Sequence, residues 1–182
     1  MTEKPDISQK VIIILEHLVD VNEYLEIRSQ IPGTHIVIAT IPDVCWELEK
    51  RNIQYKGIEI YFNSKKIYDT GMKNYEIVEN LCFKIDSMLQ ESTPFLKKNS
   101  LKPAFDNYYY IKKLFDNLTL RIIIIKSIIE HEKPSKIIAF SSDKGSPNDY
   151  ISPFDFHESI YSLLLDNNCW NLNIIHLQKK NQ

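Results

Sequence analysis

The sequence predicts an α/β fold, a doubly wound, five-stranded parallel sheet in a single Rossmann-like domain over residues 1–182. Short apolar segments alternate along the chain with segments of helical spacing, which is typical of strands joined by crossover helices. Two of these apolar segments lack any polar alternation, as expected for strands buried on both faces. With 182 residues, of which 43% are hydrophobic, the chain is long enough to bury a full core around such a sheet.

The first two strands are predicted in the apolar segments KVIIIL, residues 10–15, and HIVIA, residues 35–39. Between them lies a polar stretch whose apolar residues recur at helical spacing, so a helix is predicted to connect the two strands. These apolar residues are Leu18, Val21 and Leu25. A strand, a helix and a second strand in this order form a crossover unit, which makes the strands parallel.

A second helix is predicted to begin at Pro42, with Asp43 as its N-cap and with Val44 and Leu48 facing inward. The following segment, NIQYKGIEIYF, alternates apolar and polar side chains. Its apolar positions include Ile58, Ile60 and Phe62. Because alternation indicates a strand with one wetter face, the third strand is predicted at an edge of the sheet.

A helical insertion over about residues 72–132 is predicted to separate the third strand from the fourth. Apolar residues recur at three and four residues up to Pro94, which predicts one amphipathic helix over about residues 72–92. The same spacing after Pro103 predicts a second long helix. The two helices are expected to pack as a hairpin, and the wide apolar stripe near residues 122–125 is expected to contact the sheet as well.

The fourth and fifth strands are predicted in KIIAF, residues 136–140, and in LNIIHL, residues 172–177, with a helix over about residues 155–167 between them. Asp155 and Glu158 form a capping-box pattern, so we expect the chain's own carboxylate, rather than a phosphate, at that helix terminus. Since the first and fourth strands are the most apolar and the third suits an edge, the predicted strand order is 3-2-1-4-5.

Charge and composition argue against several classes of protein. The chain has 22 basic and 24 acidic residues, giving a formal net charge of -2, so no broad positive field is available for nucleic acid or an acidic membrane. Its aliphatic runs are too short for a transmembrane segment, and the start lacks the order of a signal peptide, so we expect a cytoplasmic protein. The cysteines, which we expect to be reduced and structural, are Cys45, Cys82 and Cys169.

The motifs of common active sites are absent from the sequence. It contains no GxSxG, GxxxxGK or HExxH pattern, and no cysteine and histidine spacing typical of a zinc site. The turn after the first strand, EHLVD, has no glycine, so pyrophosphate is not expected to approach it as in a dinucleotide site. No cofactor and no metal site are therefore predicted.

The topology predicts where a ligand would bind. Open parallel sheets bind ligands beyond the carboxyl ends of their strands, where the strand order reverses, which here is between the first and fourth strands. The first wall of this crevice carries Glu16 and His17 as candidate catalytic bases and Asp20 as a candidate ligand-binding residue. A hydrogen-bonded surface pair at a strand end is the alternative interpretation of Glu16 and His17.

The second wall is the segment SSDKGSPNDY, which follows the fourth strand. Its side chains can hydrogen-bond the hydroxyls of a sugar or another polyol, and its lysine can bind an anion. A plain surface loop would also favour these turn-forming residues, but a connection of this length is more typical of a functional loop. The predicted ligand-binding residues in this wall are Ser141, Ser142, Asp143, Lys144, Gly145, Asn148 and Asp149.

The succession of segments resembles the N-terminal Rossmann-like half of GT-B type glycosyltransferases of prokaryotic surface polysaccharide biosynthesis. The resemblance rests on KVIIILEH, on THIVIATIPDVCWELEKRNIQYKGIEIYF, on the helical insertion, on KPSKIIAFSSD and on FDFHESIYSLLLDNNCWNLNIIHL. In such enzymes this half binds mainly the acceptor and a second half binds the nucleotide-sugar. The resemblance implies a glycan or small-molecule acceptor, a base at His17 or Glu16, and no sugar transfer without a donor-binding half or partner chain.

Two further hypotheses come from the same segments. The chain could be a non-catalytic binding or interaction protein that forms a homodimer through the helical hairpin, with a vestigial crevice. It could also be a small enzyme that uses the crevice without any partner. An exposed apolar strip on the hairpin would favour the dimer, whereas turnover by the isolated chain would favour the enzyme.

Overall fold

The computed structural model describes residues 9–141, 160–165, 170 and 172–178. Five strands form one sheet in the order β3-β2-β1-β4-β5, and every neighbouring pair is parallel. The strands are β1 (Lys10–Leu15), β2 (Thr34–Ala39), β3 (Lys56–Gly57), β4 (Lys136–Ser141) and β5 (Asn173–Gln178). The predicted fold class and strand order are therefore confirmed.

Helices connect successive strands, as parallel pairing requires. They are α1 (Leu18–Ile27), α2 (Pro42–Lys50), α3 (Ser64–Ser92), α4 (Pro94–Lys98), α5 (Pro103–Asp106), α6 (Tyr108–Glu132) and α7 (Ile160–Leu165). The two longest, α3 and α6, form the predicted hairpin between β3 and β4. In the part of the chain that the structure describes, no helix combines the length and the apolar character needed to cross a membrane.

Two helix starts differ from their predictions because capping, rather than apolar spacing, determines them. Helix α3 begins about two turns earlier than predicted, where the Asn63 side chain accepts a hydrogen bond from the Lys66 amide at 2.9 Å. The N-cap of α2 is Ile41, and Pro42 occupies the first helical position, where its missing N–H costs nothing. The prediction of Asp43 as N-cap is wrong, since Asp43 lies in the first turn.

The third strand is much shorter than predicted. Only Lys56–Gly57 pairs with β2, and Ile58–Tyr61 forms a 3-10 turn. In this turn Ile58 and Tyr61 are buried, whereas Ile60, and Phe62 directly after the turn, are exposed. The apolar pattern therefore follows the three-residue period of a 3-10 turn, which a segment of this length does not separate from the alternation of a strand.

The core lies on both faces of the sheet. On one face, side chains of β1, β2 and β4 pack with those of α1 and α2 in a single apolar cluster. Its buried members include Val11, Ile13, Leu15, Val21, Val37, Val44, Leu48 and Phe140. The inward positions predicted for Val44 and Leu48 are thus confirmed. The alternate β1 residues Ile12 and Ile14 are also buried, so β1 is covered on both faces as its unbroken apolar run predicts.

The described chain divides into two compact units. The first contains the sheet and comprises residues 9–62, 124–141 and the described residues from 160 onward. The second comprises residues 63–123 and contains most of the helical hairpin. It has its own apolar cluster, in which Val78, Cys82 and Ala104 are buried against Ile85, Tyr108, Ile111 and Phe115. Within this unit, the buried Asn74 side chain donates hydrogen bonds to Asp116 at 2.8 Å and to Thr119 at 2.9 Å, which joins α3 to α6.

Replacing Gly33 with alanine is expected to lower the free energy of unfolding by roughly 2 kcal/mol. Gly33 has a φ of 111°, and a Cβ there would clash with the Gln9 carbonyl oxygen. Gly71 provides the matched control, because it lies within α3 with open space where a Cβ would be. Gly71→Ala should raise the free energy of unfolding by about 0.5–1 kcal/mol, and urea denaturation of both variants measures the difference. Similar changes in the free energy of unfolding at the two positions would contradict the requirement for glycine at position 33.

Candidate functional site

The turn between β1 and α1 carries the three residues predicted for the first wall of the crevice. Asp20 is fully buried, and its Oδ2 accepts hydrogen bonds from the amides of Glu16 at 2.8 Å and His17 at 2.9 Å. The Asp20 amide in turn donates to the His17 carbonyl at 3.1 Å. The carboxylate of Asp20 therefore caps α1 and fixes the backbone that bears Glu16 and His17.

The Glu16 carboxylate also accepts backbone hydrogen bonds. Its two oxygens each lie 3.1 Å from the Tyr161 amide nitrogen, and Oε2 lies 3.4 Å from that of Ser162. Glu16 is buried, so these bonds tie the end of β1 to the helix that follows β4. A carboxylate held in this way acts as a structural link across the point where the strand order reverses.

His17 differs from its two neighbours in exposure. Its side chain is half-buried, whereas Glu16 and Asp20 are both buried. As the N-cap residue of α1, His17 has an extended backbone, with φ -138° and ψ 160°, which is usual for that position. Of the predicted first-wall residues, His17 is the one that is only half-buried, although its ring Nε2 is itself buried.

The second predicted wall lies almost entirely outside the described residues. Ser141 is the last residue of β4, and its backbone pairs with Gln178 of β5. The remaining candidates of this wall lie outside the residues that the structure describes, and so does the capping-box pair Asp155 and Glu158. These candidates are Ser142, Asp143, Lys144, Gly145, Asn148 and Asp149. The binding roles of these residues, and the helix start predicted at Asp155, stay predictions.

A cavity of about 410 Å³ opens at the same edge of the sheet, beyond the end of β2. This volume is within the range of small-molecule sites. The described residues that line it are Ala39, Thr40, Ile41, Pro42, Cys45, Trp46, Glu49 and Glu59. The cavity therefore combines the strand end, the first turns of α2 and one residue of the 3-10 turn.

Thr40 connects this cavity to the turn after β1. Its amide and its hydroxyl both donate to the Leu15 carbonyl oxygen, each at 3.1 Å. Leu15 is separated from His17 by a single residue, and β1 and β2 are paired neighbours. Neighbouring strands lie about 4.8 Å apart, so the cavity is about one strand spacing from the candidate first wall.

Two carboxylates give the cavity an acidic character. Glu49 accepts a hydrogen bond from the Tyr55 hydroxyl at 2.7 Å, and this bond is the main cause that raises the pKa of Tyr55 above its ordinary value. Glu59 lies against Gly57, where any Cβ would clash with its carboxylate. The described residues of the lining include no lysine or arginine to offset these two charges.

Trp46 is one of the residues at this edge that the sequence prediction missed, together with Thr40, Glu49 and Glu59. It is 63% exposed on α2, and the Lys50 Nζ lies 5.2 Å from its ring centroid. A signal was present in the sequence, because Val44 and Leu48 face inward and Trp46 between them must then face outward. An exposed tryptophan beside a cavity is a feature typical of ligand-binding surfaces.

A second cluster of ionisable groups surrounds the buried carboxylate of Glu132. Glu132, at the end of α6, accepts hydrogen bonds from Lys56 Nζ at 2.6 Å and from the Tyr61 hydroxyl at 2.7 Å. Burial alone would raise the pKa of Glu132, but these bonds and the charges of Lys56 and Lys10 outweigh it and lower the pKa. Burial and the bond to Glu132 raise the pKa of Tyr61. The mutual satisfaction of these groups is typical of a structural cluster.

Metal chemistry has no candidate centre in the described part of the chain, where no group of three or more His, Cys, Asp or Glu residues is positioned to hold an ion. Comparison with known proteins gave no match to a family model, to a curated protein or to a solved structure.

Proposed function

We propose that this chain is the acceptor-binding half of a GT-B-like glycosyltransferase for surface polysaccharide or glycan assembly. In this proposal the chain binds a hydroxyl-rich acceptor at the carboxyl edge of its sheet and transfers sugar only with a donor-binding half or partner chain. The parallel sheet with strand order 3-2-1-4-5 supports the position of the ligand, since such sheets bind ligands where the order reverses.

The hydrogen bonds of the β1–α1 turn are the observation that favours a neutral acceptor over a nucleotide-sugar as the ligand. Rossmann-like nucleotide sites use the free amides of this turn to bind phosphate. Here the amides of Glu16 and His17 both donate to Asp20 Oδ2. A phosphate would have to displace a buried carboxylate of the chain itself. The turn therefore suits a neutral acceptor better than a nucleotide-sugar.

The same geometry favours His17 over Glu16 as the base that receives the acceptor proton. Glu16 directs both carboxylate oxygens to the amides of Tyr161 and Ser162. His17 is half-buried as a residue with its ring Nε2 buried, so in this proposal the acceptor hydroxyl displaces the groups that cover Nε2. A neutral imidazole can accept a proton from a sugar hydroxyl that is deprotonated during attack on the donor. Asp20 would act as a positioning residue, because it holds the His17 backbone.

Calorimetric titration of the chain with glycans, nucleotides and nucleotide-sugars tests this proposal. We expect binding of a neutral glycan, weakened at least about tenfold by His17→Ala and by Asp143→Ala, and weaker binding of nucleotide-sugars. The matched control is Asp43→Ala, an exposed change on α2 outside the candidate site. Tight nucleotide-sugar binding that neither variant alters would overturn the proposal.

A second candidate function, a homodimeric interaction protein, is favoured by one specific observation. Helix α3 exposes large apolar side chains along one side, at positions separated by three, four and eight residues. They are Tyr68 at 67%, Met72 at 52%, Tyr75 at 53% and Phe83 at 68% exposure. Several large apolar side chains exposed on one side of a helix are typical of a protein interface. We propose dimerisation through this surface as the alternative function.

Sedimentation velocity over a range of protein concentrations tests the dimer. If the surface self-associates, the sedimentation coefficient should rise with concentration, and Phe83→Glu should hold the chain in the monomeric form. Ile77→Glu is the matched control, because Ile77 is also exposed but lies on the other side of α3. A chain that stays monomeric at all concentrations, or a dimer that Phe83→Glu does not weaken, would contradict this function.

A further inference from the structure

We propose that the cavity beyond β2 is a second binding site, specific for a small organic cation that carries an ammonium group, either a protonated amine or a quaternary ammonium. This inference goes beyond the proposed acceptor function and does not depend on it. The carrying observation is the composition of the lining, which places two carboxylates and an exposed indole around about 410 Å³ of open space. All of the lining residues belong to the unit that contains the sheet.

The charge of the lining determines which sign of charge a ligand must carry to be attracted into the cavity. Glu49 and Glu59 contribute two carboxylates, and the described residues of the lining contain no basic side chain. The Tyr55 hydroxyl donates to Glu49 at 2.7 Å, so Tyr55 contributes a hydrogen bond to this carboxylate and no charge of its own at neutral pH. A phosphate or a carboxylate would be repelled in this cavity, whereas an ammonium group would be attracted.

The aromatic part of the lining selects the shape of the ligand. Indole has the strongest attraction for cations among the aromatic side chains, and Trp46 already attracts the ammonium group of Lys50 at 5.2 Å. Lys50 is not among the described lining residues, but its ammonium group lies against the ring of Trp46, so a cationic ligand would compete with Lys50 for this ring. The apolar side chains of Ile41 and Pro42 complete the wall and suit the hydrocarbon or ring body of an organic amine.

Intrinsic fluorescence of the full chain provides the direct test. The background variant is Trp170→Phe, which leaves Trp46 as the single tryptophan. The probes are choline with its neutral isostere 3,3-dimethylbutan-1-ol, and glucosamine with glucose. We expect saturable quenching by choline and glucosamine, at least about tenfold weaker binding of each neutral counterpart, and weaker binding of the cations as salt is added.

Variants of the lining residues separate the contribution of the carboxylates to binding from that of the Trp46 indole. Glu49→Gln and Glu59→Gln should each weaken choline binding roughly fivefold, while Asp43→Asn, an exposed change on the same helix outside the lining, should leave it unchanged. Trp46→Ala, followed by calorimetry, should weaken it at least about tenfold. Since these side chains are exposed or line an open cavity, the variants are expected to fold, which circular dichroism checks.

Three results would overturn the proposal. The first is equal affinity for choline and its neutral isostere, which would remove the role of the carboxylates. The second is unchanged choline binding in Trp46→Ala, and the third is the absence of saturable binding by either cationic probe. None of these results bears on the crevice, because loss of glycan binding in His17→Ala is measured independently of the cavity.

Discussion

Replacing Asp20 with alanine is expected to lower the free energy of unfolding by roughly 3 kcal/mol, among the largest effects of a single change in this chain. The Asp20 carboxylate is fully buried and accepts hydrogen bonds from two successive amides, those of Glu16 and His17. Alanine would leave these donors without their acceptor in a buried turn. Urea denaturation followed by circular dichroism measures the loss.

Two further variants make the Asp20 experiment specific. Asp20→Asn keeps one oxygen acceptor but loses the charge, so an intermediate loss is expected. Asp43→Ala removes an exposed aspartate from the first turn of α2 and should cost only a few tenths of a kcal/mol. An Asp20→Ala variant as stable as the Asp43→Ala variant would show that the Asp20 carboxylate does not hold the β1–α1 turn.

Replacing Glu132 with alanine is expected to lower the free energy of unfolding by roughly 2 kcal/mol, because it leaves the buried Tyr61 hydroxyl without its acceptor and removes the partner of the half-exposed Lys56. The Tyr61 hydroxyl, on a buried side chain, would lose its acceptor, and the Lys56 ammonium group would lose its counter-charge. Glu130→Ala, an exposed change two residues earlier on α6, is the control. Equal stability of the two variants would contradict the role given to Glu132.

The same cluster predicts how stability depends on pH. The pKa of Glu132 is lowered in the folded chain, so the unfolded chain binds this proton more readily when the solution is acidified. The contribution of Glu132 is therefore fully present above its unfolded-state pKa, near 4.5, and is lost as the pH falls through the lower folded-state pKa. The free energy of unfolding should therefore fall less steeply with decreasing pH in Glu132→Gln than in the unmodified chain. An equally steep fall in both proteins would contradict a lowered pKa of Glu132 in the folded state.

The sheet could be predicted from the sequence because burial leaves a direct mark on strand composition. The unbroken apolar runs of β1 and β4 identify strands covered on both faces, and the crossover rule then limits the strand order. The third strand could not be predicted in full. Its segment pairs for only two residues before the 3-10 turn at Ile58–Tyr61, and short apolar patterns do not separate these two conformations.

The sequence predicted where the three first-wall residues lie in the fold but not which hydrogen bonds they make. Topology indicated the carboxyl edge, and the structure brings Glu16, His17 and Asp20 together in one turn there. The sequence could not show that Asp20 bonds to backbone amides and that Glu16 reaches Tyr161, since these contacts depend on the paths of β1 and α7 in space. Hydrogen-bond partners far apart in sequence leave no local pattern.

Mapping of amide chemical shifts during titration tests the central claim, that this edge binds a neutral hydroxyl-rich acceptor instead of a phosphate. With a neutral glycan identified by calorimetry, we predict perturbations at His17 and at the neighbouring end of β2, near Thr40. A nucleotide-sugar should leave the amides of Glu16 and His17 unperturbed, because both donate to Asp20. Strong perturbation of these two amides by the nucleotide-sugar, with none by any glycan, would contradict the claim.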